Sequence, residues 1–398
     1  RRPEQSPGLA NRDRNDALVQ ELASGLWGRC DGLTVKENKY GRGQVFWGLG
    51  FAEIFERLNI PPDFEYENAA SDAEVLYIHR RIGDSDFYFL SNQKPRPERI
   101  IARFRVKGKQ PEIWDPVSGS FHFPGLFRLH ESCVEMPLDL DPAGSLFVVF
   151  RAEAPRLHVI SASSPDANIQ FDASGQLAAW LGNGAPVRLV MSDGTERNTP
   201  AIEPPAPVRL GGEWNVAFPP GLGAPASATF HELVSWTERP EKGIRFFSGT
   251  AIYTTEFGMP EWVGRQNVET WLDLGSVQVI AEVRLNGKDL GILWKPPFRI
   301  KVADHLRPGQ NRLEVRVTNL WPNRMIGDEN LPETTRWENK AAEPMPERWP
   351  EWLLEGKPRP DGRIIYCTRK PYKKDDPLLP SGLLGPVQVQ SVLRHNVN

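Results

Sequence analysis

The chain has 398 residues and a formal net charge of −3. A charge this close to neutral gives no general electrostatic basis for binding nucleic acid or an anionic membrane surface. The length exceeds what one hydrophobic core supports, so two to four domains are expected. No apolar run approaches the ~20 residues that a membrane-spanning helix needs.

The three cysteines, Cys30, Cys133 and Cys367, are odd in number and far apart in the sequence. Their spacing fits neither a disulfide framework nor a set of metal ligands. We therefore expect free thiols, and no cofactor or metal is predicted in this chain.

The first 69 residues predict a small α/β segment. Apolar residues at helical spacing indicate a helix over 12–29 and a second over 51–58, with a short strand at 44–48 between them. This segment is too small for a core of its own, and the first residue is Arg rather than Met. We expect 1–69 to be the trailing edge of an upstream catalytic unit.

From residue 70 the pattern becomes β-rich. The strands 75–80 and 86–91 form a predicted hairpin, and the apolar run 145–150 predicts a strand that is buried on both faces. We expect a small β-sandwich over 70–152. Weaker strand patterns over 153–205 predict a β-rich connector that ends in the proline-rich stretch 202–207.

Residues 244–320 show the clearest pattern, a series of short runs that alternate apolar and polar residues. Asn286-Gly287 separates two such runs, and both residues tolerate the positive φ of a tight hairpin turn. Such strands are typical of a jelly roll, which we place at 206–398 with a turn at 381–386 and a last strand at 387–392. A long irregular insertion is expected between 331 and 361.

The order of elements in this jelly roll resembles the sugar-binding domain of family 2 glycoside hydrolases. Later stretches resemble the C-terminal part of the α-L-rhamnosidases of glycoside hydrolase family 106. The residues that carry the first resemblance are Gly249, Ala251 and Tyr253, then 283–291, Pro297-Phe298 and 309–319; those that carry the second are 320–332 and 377–386.

The resemblance implies a mainly β fold, in which β-sandwich domains end in a galactose-binding-like jelly roll after a small α/β remnant. It also implies a catalytic barrel upstream of Arg1 that carries both catalytic glutamates and a bound calcium. The reaction it implies is hydrolysis of terminal α-L-rhamnosides in plant polysaccharides or glycoconjugates, in the periplasm or outside the cell. The expected partners are rhamnose-containing glycans and the upstream domain, and no catalytic residue is assigned in this chain.

Three alternatives remain at this point. The chain could be a stand-alone carbohydrate-binding module, or a structural scaffold or oligomer interface. It could also be part of a family 2 β-glycosidase, although in those enzymes the jelly roll precedes the barrel.

The candidate substrate-binding residues combine aromatic and planar polar side chains, which suit the C–H faces and hydroxyl pairs of sugars. They are Trp294, Trp321, Asn323, Arg324, Asp328 and Trp337. The alternative for the group after residue 320 is structural, with an Arg324–Asp328 ion pair that fixes a loop and Trp321 closing the end of the sandwich. A further cluster of three tryptophans and four glutamates could line a cleft or an interdomain contact, or its acids could form a catalytic pair: Trp337, Trp349, Trp352, Glu338, Glu343, Glu347 and Glu351.

Overall fold

The computed structural model describes residues 2–67, 69–182, 184–201, 203–263, 267–338 and 345–397. Its internal contacts divide the chain into two compact units, Arg1–Glu65 and Tyr66–Asn398. The finer limits expected at 152 and 205 stay predictions. No helix in the described part of the chain is long and apolar enough to cross a membrane.

The first unit contains the expected order of helix, strand and helix, with one additional strand that forms a hairpin with the predicted one. Helix α1 buries only Ala23, and α2 has no buried residue. The elements are α1 (Arg12–Trp27), β1 (Glu37–Tyr40), β2 (Gly43–Phe46) and α2 (Phe51–Arg57), and the division between the units falls within β3 (Phe64–Glu67).

The second unit begins with strands that fill the predicted sandwich and connector regions. The sandwich region holds β4 (Val75–Ile82), β5 (Ser85–Asn92), β6 (Glu98–Phe104), β7 (Lys109–Trp114), β8 (Phe121–Pro124), β9 (Arg128–Leu129), β10 (Val134–Leu140) and β11 (Ser145–Glu153). The connector region holds β12 (Val159–Ala162), β13 (Asn168–Phe171), β14 (Leu177–Leu181), β15 (Arg188–Met191) and β16 (Glu196–Asn198). Asn183 and Ile202 lie outside the described residues.

Among its described residues, the jelly-roll region contains all the remaining strands and three short helices. Its strands are β17 (Val208–Arg209), β18 (Trp214–Ala217), β19 (Ser227–Phe230), β20 (Thr250–Met259), β21 (Val268–Asp273), β22 (Ser276–Gln278), β23 (Ile280–Leu285), β24 (Lys288–Leu293), β25 (Arg299–Lys301), β26 (Gly309–Thr318), β27 (Gly382–Gly385) and β28 (Gln388–Asn396). Its helices are α3 (Lys242–Arg245), α4 (Pro322–Asp328) and α5 (Glu351–Leu354), with a 3-10 turn at Trp236–Glu238.

One antiparallel sheet runs through all three regions of the second unit. Its strand order is β25-β21-β28-β14-β13-β8-β7-β11-β5-β4, with β17 also paired to β28. The last strand of the jelly roll therefore pairs with the connector strand β14, and β13 pairs with β8 of the sandwich region. A six-stranded sheet, β19-β18-β20-β26-β23-β24, forms the other layer of the jelly roll.

The period-two pattern of the jelly roll matches its burial. Val283 and Leu285 on β23, and Val315 and Val317 on β26, all point into one core, in which aromatic side chains are the largest buried groups. Asn286 and Gly287 have φ values of 52° and 81°, as the hairpin prediction required. The mainly β architecture is thus confirmed.

Two local predictions were wrong. Residues 381–386 do not form a simple turn, because Gly382–Gly385 makes the short strand β27 that pairs with β22 while Leu383 fills the core. The run 145–150 is buried on both faces only at its end: Val148, Val149 and Phe150 are buried, whereas Leu146 and Phe147 are partly exposed.

Candidate functional site

The site begins where strand β26 ends and the chain turns into helix α4. Asn319 fixes this turn because its amide donates to Phe247 O at 2.9 Å and to Ser381 Oγ at 3.1 Å, and its carbonyl oxygen accepts from Gly249 N at 2.9 Å. Pro322 stands at the first position of the helix, where no backbone donor is needed. The start of α4 is therefore fixed by both the jelly-roll core and the 379–381 segment.

Asn323 is fully buried, and both the nitrogen and the oxygen of its side-chain amide form hydrogen bonds. Its nitrogen donates to Leu379 O at 2.7 Å and to Ser381 Oγ at 2.9 Å, while its oxygen accepts from Leu379 N at 2.8 Å. These bonds describe a residue that holds the 379–381 segment against α4. A direct contact between Asn323 and substrate stays a prediction.

Arg324 and Asp328 form a buried ion pair on one face of α4. The two positions are four residues apart, which brings their side chains together on a helix, and Arg324 Nε lies 3.0 Å from Asp328 Oδ1. Asp328 Oδ2 also accepts from the backbone N–H groups of Ile364 at 3.0 Å and Ile365 at 2.9 Å. Asp328 therefore attaches residues 364–365 to the helix while its ion pair with Arg324 stays buried.

The insertion after α4 is held by a compact network of charges. Arg363 Nη1 lies 2.7 Å from Glu329 Oε1 and 3.1 Å from Glu333 Oε2, and Lys370 Nζ lies 3.2 Å from the same Glu333 oxygen. Arg359 pairs with Asp361 at 2.7 Å. Besides the short helix α5, ion pairs and hydrogen bonds fix the path of the described residues within 329–372, so the insertion is longer than the expected 331–361.

The two best-buried carboxylates of this network are held ionised. Burial opposes ionisation of Glu333, but hydrogen bonds from Thr335 N and Trp337 and the charges of Arg363 and Lys370 outweigh it, so the pKa of Glu333 lies below its usual range. For Asp361, burial is likewise outweighed by hydrogen bonds from Arg359, Arg363 N and Thr334, which lower its pKa. Neither group suits a general acid, which must be protonated at neutral pH.

Aromatic side chains cover this network. Lys370 Nζ lies 5.1 Å from the centre of the Trp337 ring, and the Arg359 guanidinium lies 5.4 Å from that of Trp352. Tyr366 packs edge-on against Trp352 at 5.5 Å. Within the described part of the chain, the Trp352 indole N–H and the Tyr366 hydroxyl are buried without a hydrogen-bond partner.

A shallow pocket joins α4 to the insertion. Its lining includes Asp328 from the helix and Trp337, Tyr366, Glu333 and Lys370 from the insertion. The charged and aromatic lining encloses only about 30 Å³, which is room for a water molecule, so a sugar ring would meet the rim of the pocket rather than its interior. Among the residues that the structure describes, no group of His, Cys, Asp and Glu side chains is placed to hold a metal ion.

The structure separates the six candidate residues into three locations. Asn323, Arg324, Asp328 and Trp337 belong to α4 and the pocket beside it. Trp321 precedes the helix and is 54% exposed, so it does not close the end of the sandwich. Trp294 lines a different cleft.

The proposed glutamate pair has no support in the geometry of the described residues. Glu338, Glu347 and Glu351 are exposed, and Glu343 lies outside the described residues. Sequence reasoning missed Glu333, Arg363, Tyr366 and Lys370, whose roles arise from contacts up to 41 residues apart, as between Glu329 and Lys370. The one local signal was the turn at 359–363, in which Asp361 accepts from Arg363 N.

Two family models each match a part of this chain. Residues 1–123 match the family model of α-L-rhamnosidases of glycoside hydrolase family 106, and residues 237–349 match that of the galactose-binding-like domain of family 2 glycosyl hydrolases. A protein from Formosa agariphila named as a putative β-glucuronidase is 27% identical over an alignment of 579 residues, which covers 100% of this chain and 48% of that protein.

Among solved structures, the rhamnosidase from Novosphingobium sp. PP1Y matches 95% of this chain with a TM-score of 0.69 and 28% identity, and the match covers 29% of that enzyme. The chain thus spans about half of the first relative and under a third of the second. The resemblance to both families is confirmed by these matches, although the family 106 match lies at 1–123, away from the motifs at 320–332 and 377–386, and the galactose-binding-like match of the family 2 type lies at 237–349.

Proposed function

We propose that this chain is the C-terminal accessory and sugar-binding part of an α-L-rhamnosidase-like glycoside hydrolase. The observation that carries the proposal is the match to the Novosphingobium rhamnosidase, which extends over 95% of the chain with a TM-score of 0.69. The family 106 match at 1–123 supports it independently. The substrate would be a terminal α-L-rhamnoside of a plant polysaccharide or glycoconjugate.

In this proposal bond cleavage belongs to an upstream catalytic domain. Glycoside hydrolysis needs one carboxyl group as acid and a second as base or nucleophile. The acids near α4, namely buried Asp328 and half-buried Glu329 and Glu333, are engaged with arginine or lysine side chains. Such pairs hold the carboxylates in a fixed position, which favours structural or positioning roles.

The six candidate residues would divide their roles by exposure. Trp321 and Trp337 would contact sugar rings, since one is exposed and the other lines the pocket. Asn323, Arg324 and Asp328 would act as positioning residues that hold the pocket wall in place. Such rigid support places a substrate without taking part in bond chemistry.

We also propose a periplasmic or extracellular location. Polymeric glycans do not cross membranes unaided, so an enzyme that acts on them meets them outside the cytoplasm.

The test compares this chain with the same chain extended upstream to the length of its relatives, on an aryl α-L-rhamnoside. Activity in the extended protein alone is the expected result. Activity in this chain by itself would overturn the accessory role, and the glutamates of the insertion would then become the first residues to mutate.

A second candidate activity comes from the Formosa relative, which is named as a putative β-glucuronidase. The same two proteins assayed on an aryl β-D-glucuronide decide between the activities. Turnover of the glucuronide with none of the rhamnoside would replace the proposed substrate and leave the accessory role of this chain intact.

A further inference from the structure

A second cleft, separate from the α4 pocket, opens on the jelly-roll side of the second unit. Its volume is about 620 Å³, within the range of ~300–1,000 Å³ that is usual for small-molecule sites. The turn 115–120, strand β24 with the segment after it, and strands β21 and β25 form its walls.

Aromatic and apolar side chains give this cleft its floor and rim. Trp294 is 54% exposed within it, and its neighbour Ile292 is also exposed. Trp271 is partly buried and lies under two cations, with the Arg299 guanidinium 5.3 Å and the Lys301 ammonium 5.0 Å from its ring centre. An exposed indole in a concave site offers the flat apolar surface on which a sugar ring stacks.

The charges that the structure describes around the cleft leave one cation available. Lys295 lies 3.4 Å from Asp141, and Lys301 lies 3.0 Å from Glu269. Arg299 is exposed, and among the described residues no carboxylate pairs with it. Its guanidinium presents a planar fork that matches the geometry of a carboxylate.

A second acid of the cleft, Asp115, is occupied by its own turn. Asp115 accepts from Val117 N at 2.8 Å and from Ser118 Oγ at 2.7 Å. Burial opposes its ionisation, but these hydrogen bonds and the charge of Lys295 outweigh that effect and keep the pKa of Asp115 below its usual range. Asp115 is thus engaged by its own turn and Asp141 by Lys295, so both acids are occupied, and the exposed cation of the cleft is Arg299.

We propose that this cleft binds an acidic saccharide, with Trp294 stacked on a sugar ring and Arg299 paired with the carboxylate of a uronic-acid residue. The site would retain a charged glycan beside the enzyme without cleaving it. The inference concerns binding alone and does not depend on which glycosidic bond the protein hydrolyses, since it is tested without turnover.

The experiment is isothermal titration calorimetry of the full chain with trigalacturonate and with its methyl ester, which has the same rings and no charge. We expect the acid to bind at least tenfold more tightly than the ester, with an affinity that falls as salt rises. Trp294→Ala should weaken both ligands at least tenfold. Arg299→Gln should weaken only the acid and so remove the preference between the two.

Two substitutions serve as controls. Tyr40→Ala removes an aromatic ring of equal exposure, and Arg312→Gln removes an exposed arginine elsewhere on the jelly roll; both should bind like the parent. Equal affinity for the acid and the ester, unchanged binding by Trp294→Ala, or no heat at millimolar ligand would each overturn the proposal.

Discussion

Asp328 connects helix α4 to the insertion. It is buried, pairs with Arg324 and accepts two backbone N–H groups from 364–365. Asp328→Ala removes the partner of a buried cation, which typically costs about 3–5 kcal/mol. We expect urea denaturation to show a loss of this size in the free energy of unfolding.

A double substitution separates the charge from the packing. Arg324→Met/Asp328→Ala removes both charges, so it should be less destabilised than Asp328→Ala alone. Asp84→Asn, at a fully exposed carboxylate that lies 3.6 Å from Arg81, is the control and should change stability by less than about 0.5 kcal/mol. A double variant no more stable than the single one would show that the pair is not the source of the loss.

Tyr253 belongs to the motif that resembles family 2 glycoside hydrolases, and its side chain lies in the core of the jelly roll. Its hydroxyl accepts from Trp236 Nε1 at 2.5 Å and from Leu383 N at 3.2 Å. Burial raises the pKa of the phenol well above its usual range, and the two hydrogen bonds offset that only in part. The folded protein therefore keeps Tyr253 neutral at pH values where the unfolded chain begins to ionise it.

This difference predicts an alkaline loss of stability that belongs to Tyr253. The unfolded phenol ionises near pH 10, so its contribution to stability is intact below pH 10 and declines above it, by about 1.4 kcal/mol at pH 11. Tyr253→Phe should cost about 2 kcal/mol at pH 8, because two buried donors lose their acceptor. The gap between parent and variant in urea denaturation should then narrow at pH 11, whereas Tyr40→Phe, at an exposed ring, should show no gap at either pH.

At the scale of elements, α4 contains a glycine that packing requires. A Cβ at Gly327 would lie 2.6 Å from Phe246 Cβ and 2.7 Å from Arg324 Nη2. Alanine normally favours a helix over glycine by about 1 kcal/mol, but here the clash should dominate and Gly327→Ala should destabilise α4. Faster amide hydrogen exchange over 323–328 is the expected result.

The matched control is Gly25 in α1, where a Cβ would meet only Tyr40 at an ordinary 3.5 Å. Gly25→Ala should slow exchange over 12–27, since the helix gains propensity without a clash. Slower exchange in α4 of Gly327→Ala would mean that Phe246 moves aside at little cost.

The strands of the jelly roll could be predicted because the alternation of apolar and polar residues along each strand shows which face is buried. Val283 and Leu285 alternate with charged residues, and Asn286-Gly287 specifies the turn from local backbone preference alone. The strand β27 could not be predicted in this way, since two glycines at positive φ imitate a turn and only pairing with β22 reveals the strand.

The site was harder to predict than the fold for a related reason. Arg324 and Asp328 are four residues apart, so helical geometry alone allowed their ion pair. Glu333 with Lys370, and Asp328 with Ile365, meet only because the insertion folds back over tens of residues. Local patterns contain no information about such contacts. For the same reason the sequence predicted the exposed Trp294 as a candidate but not Trp271 and Arg299, which line the same cleft.

At the scale of the whole molecule, the two units differ in how well they bury apolar residues. The second unit encloses a core with many fully buried aromatic rings, including Trp214, Trp236 and Tyr253. In the first unit, large apolar side chains remain exposed on both helices, among them Leu18, Leu22, Phe51 and Phe55. Exposed apolar surface of this kind favours association with another protein surface.

We therefore predict that the chain self-associates at micromolar concentration through its first unit. Leu22 is 56% and Phe51 is 80% exposed, so Leu22→Ser/Phe51→Ser should reduce association without disturbing a core. Sedimentation velocity over a range of concentrations measures this directly. Ile78→Ser/Ile82→Ser, at side chains 54% and 69% exposed on β4 of the second unit, is the control and should associate like the parent. A parent chain that stays monomeric at every concentration, with protected amides across 15–58, would contradict both the association and the expectation that 1–69 is the trailing edge of an upstream unit.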